Sequence, residues 1–387
     1  MQSHIQRVLA IGAAVFSAAA GAASFDVNPA FPAYGQPVTV ELSNAGPAPY
    51  LPATRYRRDG RTITIELEHI AGGFFGPRND MAYMPVSVGE LAPGPYTLQA
   101  KLFDIGNPDL PPRLFTHAIN VSAPDATGVY AVPRNPGAYE GFELVVKADG
   151  PIDASSLRAT VSGNSIRVDF DFSTDAAAAP FAAVKVAGVA PGGYRVEAFG
   201  RVPPMMATRR FAGDFGVQAT TSVVEYYSPS LDHYVVSAWA DEINALDADP
   251  RGSFQRTGEQ FKAWLHAADA PAAATPVCRF YASGPNSHFY TADPGECQYL
   301  QSLEQKQRAE ALAKGQTFRG WQFEAVAFYA LPAQGGKCPA GSRAVARSYN
   351  DRAAQGDSNH RFMVSPAMRA AMQTGWADEG VAFCSPL

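Results

Sequence analysis

The sequence has no cysteine before residue 278 and only four in all. Charge is scarce too: 17% of residues are charged, and acids and bases nearly balance to a net −5. After residue 23 no apolar run approaches the ~18 residues of a membrane helix. Each shortage excludes something. A near-neutral chain with dispersed bases lacks the electrostatic footprint of a nucleic-acid binder. No two cysteines stand at the Cys-x2-4-Cys spacing of a zinc site, the nearest pair being Cys278 and Cys297. His-Glu-x-x-His and Gly-x-Ser-x-Gly are missing as well, so no recognisable catalytic motif marks an enzyme. No cofactor, metal, nucleic acid or membrane span is expected.

Glycine (34), proline (31) and phenylalanine (23) are plentiful. Low charge with many turn formers points to a mainly β chain. At the start, His4 and Arg7 precede an apolar stretch from Val8 to Ala20, and Gly21, Ala22 and Ala23 are small. That order reads as a secretory signal over 1–23, cut near Ser24 and too short to span a bilayer. The expected address is secreted or periplasmic/extracellular. In such a chain an even number of cysteines reads as two disulfides.

Two stretches before residue 220 look alike. Leu91, Ala92, Pro93, Gly94, Pro95 and Tyr96 lead into one strand, and Val189, Ala190, Pro191, Gly192, Gly193 and Tyr194 lead into another about 100 residues later, one sandwich domain on. Pro and Gly make the turn, Tyr anchors it through its hydroxyl, and alternation then resumes. Val38, Val40 and Leu42 alternate, as do Ile63, Ile65 and Leu67, and Phe142, Leu144 and Val146. The two modules, 24–123 and 124–219, resemble tandem immunoglobulin-like sandwiches of bacterial secreted proteins. They are expected to act as spacers. The cluster Arg55, Arg57 and Arg58 reads as a charged, solvated strand edge, and Gly72–Gly76, with Phe74 and Phe75, as a long loop between strands.

Residues 220–387 repeat one pattern three times. Each copy has an aromatic pair, a turn, a His among aromatics, a helix start and a closing aromatic strand. Copy one runs through Tyr226, Tyr227, His233, Tyr234, Phe254 and Phe261. Copy two runs through Phe280, Tyr281, His288, Phe289, Tyr290, Trp321 and Phe328. Copy three runs through Tyr349, Asn359, His360, Phe362, Trp376 and Phe383. Aligned on their histidines, the copies place His233, His288 and His360 at one position. Repeats that cannot bury their apolar face alone predict a pseudo-threefold β-rich domain of hairpins with short helices. Asp293-Pro294 with Glu296, and Ser365-Pro366, mark helix starts, and Ser237 is the weaker counterpart in copy one. Gln301 to Gly315 reads as a helix extension peculiar to copy two. Keeping each bridge within one copy predicts Cys278–Cys297 and Cys338–Cys384.

The closing pattern, Trp321 to Phe328 and Trp376 to Phe383, resembles a secreted repeat domain of uncharacterised function found in bacteria and fungi, often beside cell-wall or polysaccharide hydrolases. Phe280 to Phe328 and Asn359 to Phe383 carry the match. Copy one departs, with Phe254 in place of the Trp. The resemblance implies an extracellular, lectin-like accessory module that binds carbohydrate. Its contacts are expected from His233, His288, Tyr290, Trp321, Asn359, His360 and Trp376, since a sugar site combines a stacking ring with a few aimed polar groups. The partner would be an extracellular glycan of a cell wall or surface, and the protein non-catalytic. The alternatives are a structural module that packs on a surface protein, or an accessory part of a cell-wall hydrolase system.

Overall fold

The computed structural model describes residues 24–43, 55–69, 85–104, 107, 109–202, 207–249, 252–373 and 375–387. The signal-like segment 1–23 and the Gly72–Gly76 loop lie outside the described residues. Twenty-three strands and three α-helices are found among the described residues, so the chain is mainly β.

The first fourteen strands form two sandwiches on one plan. In the first, β1 (Ser24–Asn28), β2 (Pro37–Ser43) and β5 (Val86–Glu90) face β3 (Arg55–Asp59), β4 (Thr62–His69), β6 (Gly94–Asp104) and β7 (Arg113–Val121). In the second, β8 (Gly128–Val132), β9 (Phe142–Lys147) and β12 (Phe181–Val186) face β10 (Ile152–Ser162), β11 (Ser165–Phe172), β13 (Gly192–Val202) and β14 (Ala207–Val217). Alternation decides which side chains go inward. Val38, Val40, Leu42, Ile63, Ile65 and Leu67 share one core, and Phe142, Leu144 and Val146 belong to the other. Tyr194 anchors its turn as expected, its hydroxyl donating to Ala190 O at 3.0 Å.

One feature departs from an immunoglobulin sandwich, whose sheets are antiparallel. Strands β4 and β6 run parallel, and so do β11 and β13. After the β3–β4 hairpin the chain crosses to the other sheet as β5 and returns as β6 in the direction of β4. It is β4, not β3, that lies beside β6.

The remaining strands form the repeats. Copy one is β15 (Thr221–Ser228), β16 (His233–Ser237), α1 (Ala240–Ala248) and β17 (Gln255–Ala263). Copy two is β18 (Thr275–Ala282), β19 (Ser287–Thr291), α2 (Pro294–Ala313) and β20 (Trp321–Ala330). Copy three is β21 (Ser342–Tyr349), β22 (His360–Met363), α3 (Pro366–Met372) and β23 (Ala377–Pro386). In each copy the first strand is central, the second completes a hairpin on one side, and the third returns on the other. The 20-residue α2 is the extension read from the sequence; α1 and α3 have 9 and 7 residues. Asp293 and Ser365 cap their helices by accepting from Glu296 N and Met368 N. Ser237 does not cap α1. That position is Trp239, and Ser237 accepts from its backbone N–H instead.

The copies meet on a pseudo-threefold axis. Phe261, Phe328 and Phe383 sit opposite Val223, Val277 and Val345 in the three sheets. Their rings touch in pairs, with centroids 5.6 to 5.7 Å apart. The cysteines pair as Cys278–Cys297 and Cys338–Cys384, one bond inside copy two and one inside copy three. The first joins β18 to the opening turn of α2 across 19 residues of chain. On the chain-entropy argument it stabilises by about 3 kcal/mol. Replacing Cys278 and Cys297 together by Ala is therefore expected to lower the unfolding free energy by about that much, read from guanidinium titration. A change within error would show that packing alone holds α2 to its sheet.

The first sandwich is joined to the repeats. Strand β3 lies between β4 and β17 in a seven-stranded sheet, Tyr56 pairing with both Ile65 and Arg256. The arginine cluster is thus not a free edge. Arg58 is half-buried and ion-pairs with Glu143 of the second sandwich at 3.1 Å. The physical reason is that β17 satisfies the backbone groups that charge alone was expected to protect.

Candidate functional site

Strand register, not histidine identity, sets the equivalence of the copies. Tyr227 pairs with Tyr234, Tyr281 with His288, and Tyr349 with His360. Tyr234 is therefore the counterpart of His288 and His360, while His233 corresponds to Ser287 and Asn359. The expectation that three imidazoles share one position is overturned. What recurs is a cross-strand ring pair, with centroids 4.9, 4.9 and 4.7 Å apart.

The position of His233, Ser287 and Asn359 forms a buried polar hub where the hairpin tips converge. Asn359 donates to Ser287 Oγ at 2.9 Å and to Tyr234 O at 3.2 Å, and accepts from Tyr234 N at 2.9 Å. His233 Nδ1 lies 3.1 Å from Asn286 O and Nε2 lies 2.6 Å from Asp357 Oδ1. Both ring nitrogens face oxygen atoms of neighbouring copies. These groups hold the three hairpins together and are spent on one another; they do not offer a ligand surface.

The other expected contacts are likewise part of the packing. Tyr290 is buried, its hydroxyl donating to Val236 O at 2.6 Å. Trp321 is half-buried on Phe289, beside Phe280 and the Cys278–Cys297 bond. Trp376 packs on Met363, Met368 and Met372 and meets Tyr234 edge-on at 6.0 Å. His360 is buried between Tyr349 and Phe289. Burial, and then the adjacent Arg347 charge, push its pKa down to about 3. His288 is half-buried and has Arg279 Nη2 2.9 Å from its Nε2. A guanidinium only donates, so Nε2 is the acceptor there.

Charged groups are concentrated at the junctions between copies. On the central strands, Arg279 and Arg347 occupy one position, each two residues before its repeat Tyr. At the first junction, Arg279 meets Glu242 of α1 through two hydrogen bonds of 2.7 and 2.8 Å, and Glu324 of β20 at 2.8 Å. Burial opposes the Arg279 charge, but Tyr290 and Glu242 outweigh it and hold the pKa above the ordinary value. Burial likewise opposes ionisation of Glu242, and Arg279 holds its pKa below the usual range. At the second junction Arg347 meets Glu296 of α2 at 3.1 Å and Glu379 of β23 at 2.7 Å. Glu296, three residues after the Asp293 cap, turns its carboxylate to Arg347. At the third junction the signs reverse. Glu225 stands where the arginines stand, and Arg361 of β22 donates to it at 3.0 and 2.9 Å. Thr257, the counterpart of Glu324 and Glu379, also donates to Glu225.

At the second junction these groups border a cleft. It measures about 510 Å³. Thr291, Asp293 and Glu296 of copy two form one wall, and Arg347, Glu379 and Val381 of copy three the other. None of the seven residues expected to contact a ligand lines it. A second cavity, of about 290 Å³, lies on the seam between the first sandwich and copy one, where Phe254, Tyr56 and Arg57 meet. Phe254, the copy-one counterpart of Trp321 and Trp376, lines it. The junction charges were missed because they are ordinary strand and helix residues. Their signal is an Arg two residues before a repeat Tyr and a Glu three residues after a helix cap.

Residues 222–386 match a protein family described as a domain of unknown function, DUF5648. The match covers the three repeats and leaves both sandwiches outside it. No curated protein and no solved structure matches the chain.

Proposed function

We propose that this is an exported, non-catalytic binding protein that holds a polyhydroxylated glycan in the cleft between copies two and three, with the sandwiches as supports. The observation that carries this reading is the cleft's wall. Its volume lies within the ordinary range of small-molecule sites. Carboxylates of Glu296 and Glu379 accept hydrogen bonds from sugar hydroxyls, and Arg347 between them donates to ring and hydroxyl oxygens. A polyol has both kinds of group at short intervals. Two disulfides are compatible with an extracellular location, and no helix among the described residues is long and apolar enough to cross a membrane.

A broad glycan array on the oxidised chain is the first test. For any sugar retained, Glu296→Gln and Glu379→Gln are each expected to weaken binding by about 10- to 100-fold. That is the value of one charge-assisted hydrogen bond of roughly 1.5–3 kcal/mol. The fold should survive either change, since Arg347 keeps its other carboxylate. Retention of no glycan by a folded chain would hand the reading to a structural or protein-interaction module.

A further inference from the structure

The pseudo-threefold puts one residue of each copy at the same place over a junction. These are the helix caps Trp239, Asp293 and Ser365, which share one extended backbone conformation. What each does there differs. At the first junction the Trp239 ring lies 4.7 Å over the guanidinium carbon of Arg279, and the Arg279 side chain is 4% exposed. At the second, Asp293 is short and turns back to accept from Glu296 N, and the Arg347 side chain is 15% exposed at the cleft. At the third, Arg361 faces Glu225 and lies under Met368 and Met372, with side-chain exposures of 6% for Arg361 and 2% for Glu225.

We propose, on the reading that the second cleft is the ligand site, that Trp239 is a built-in plug. It fills at the first junction the space that a ligand takes at the second, and so restricts the chain to one ligand. The charged frame is the same at both: an arginine between a helix glutamate and a strand glutamate, beside a ring-paired histidine. The indole replaces the small cap and covers the cation with its face, a contact that favours a ring at that spot. Trp239 is thus a specificity-determining residue that sets valency without touching the occupied site.

The test uses the full oxidised chain and needs no ligand. Phenylglyoxal modifies accessible guanidinium groups, and peptide mass mapping reads each arginine separately. In the parent chain Arg347 is expected to react faster than Arg279. In Trp239→Ala, Arg279 should rise to the rate of Arg347 while Arg361, sealed in the third junction, stays protected and reports that the fold is intact. Arg279 staying slow with Arg361 protected would overturn the plug. The reverse variant, Asp293→Trp, covers the case where Trp239→Ala loosens the domain: it should slow Arg347 to the rate of Arg279, and an unchanged Arg347 would count against the proposal. Calorimetry with a β-1,4-linked N-acetylglucosamine hexamer separates this inference from the glycan reading. A rise from one to two sites per chain in Trp239→Ala supports both. An exposed Arg279 with no saccharide bound by either chain leaves the plug standing and removes the glycan.

Discussion

Phe328→Ala is expected to destabilise the repeat domain by roughly 3–5 kcal/mol, the cost of emptying a large, well-packed site. Phe328 is fully buried and touches its two counterparts, Phe261 and Phe383, across the axis. Each ring is fixed on its own closing strand, opposite a buried valine. The other two rings cannot slide into the vacancy without pulling their strands out of register. Relaxation is therefore small, and the cavity term stays near its upper range. Phe261→Ala and Phe383→Ala should cost similar amounts, because the three positions are equivalent. Combined, the losses should fall short of additive, since the rings share contacts. Denaturant unfolding of the oxidised chain, followed by tryptophan fluorescence, measures this. A loss below about 1 kcal/mol for all three would mean that the axis is not where the core gains its stability.

The axis was legible in the sequence, and the cleft between copies two and three was not. Phe328 and Phe383 end two nearly identical closing strands, and Phe261 ends the third at the same distance from Phe254 as Phe328 from Trp321 and Phe383 from Trp376. Aromatic spacing also gave the order hairpin, helix, strand, and the cysteines pair within those units. Aligning on histidine then misplaced copy one by a residue. Counting from the repeat tyrosine avoids the slip: Tyr227 and Tyr281 each lie the same short turn away from Tyr234 and His288. Copy three hides this because its turn is longer, containing a short 3-10 helix at Ala353–Gln355. Trp321, Trp376, Tyr290 and Asn359 looked like ligand contacts because their side chains have both a ring or amide and a polar handle. In the fold the Tyr290 and Asn359 handles satisfy neighbouring copies, while the Trp321 and Trp376 rings pack on Phe289 and on Met363, Met368 and Met372. A single-copy reading cannot see those hydrogen bonds, because each partner comes from a different repeat. The same holds for Arg279 and Arg347, each of which takes one of its two glutamates, Glu242 or Glu296, from the helix of the preceding copy. In the sandwiches, alternation placed the core correctly but was silent on the direction of β4 and β11. Period-two burial is the same for parallel and antiparallel neighbours.

The third junction gives a second large effect. Arg361→Met is expected to cost roughly 3–5 kcal/mol, because it leaves Glu225 buried without its cation. Glu225 and Arg361 come from different copies, and both are sealed from solvent. Thr257 still donates to Glu225, but one neutral donor does not replace a guanidinium held by two hydrogen bonds. The loss should also acquire a pH dependence. Glu259 lies close by, and burial and the Glu225 charge already hold its pKa above the ordinary value. Without Arg361 the two carboxylates repel, and the folded state binds protons more readily than the unfolded one. A carboxyl whose folded pKa is raised is stabilising below its unfolded pKa and loses that contribution as pH rises. The deficit of Arg361→Met relative to the parent should therefore shrink as pH falls from neutral toward 5. Adding Glu225→Leu removes the stranded charge and should recover much of the loss at neutral pH, since an apolar replacement of a buried pair is often neutral or better. The double-mutant cycle, run by denaturant unfolding at two pH values, gives the coupling. A double variant no more stable than Arg361→Met alone, with no change of the deficit on acidification, would place the cost in lost packing around Met368 and Met372 rather than in the unpaired charge.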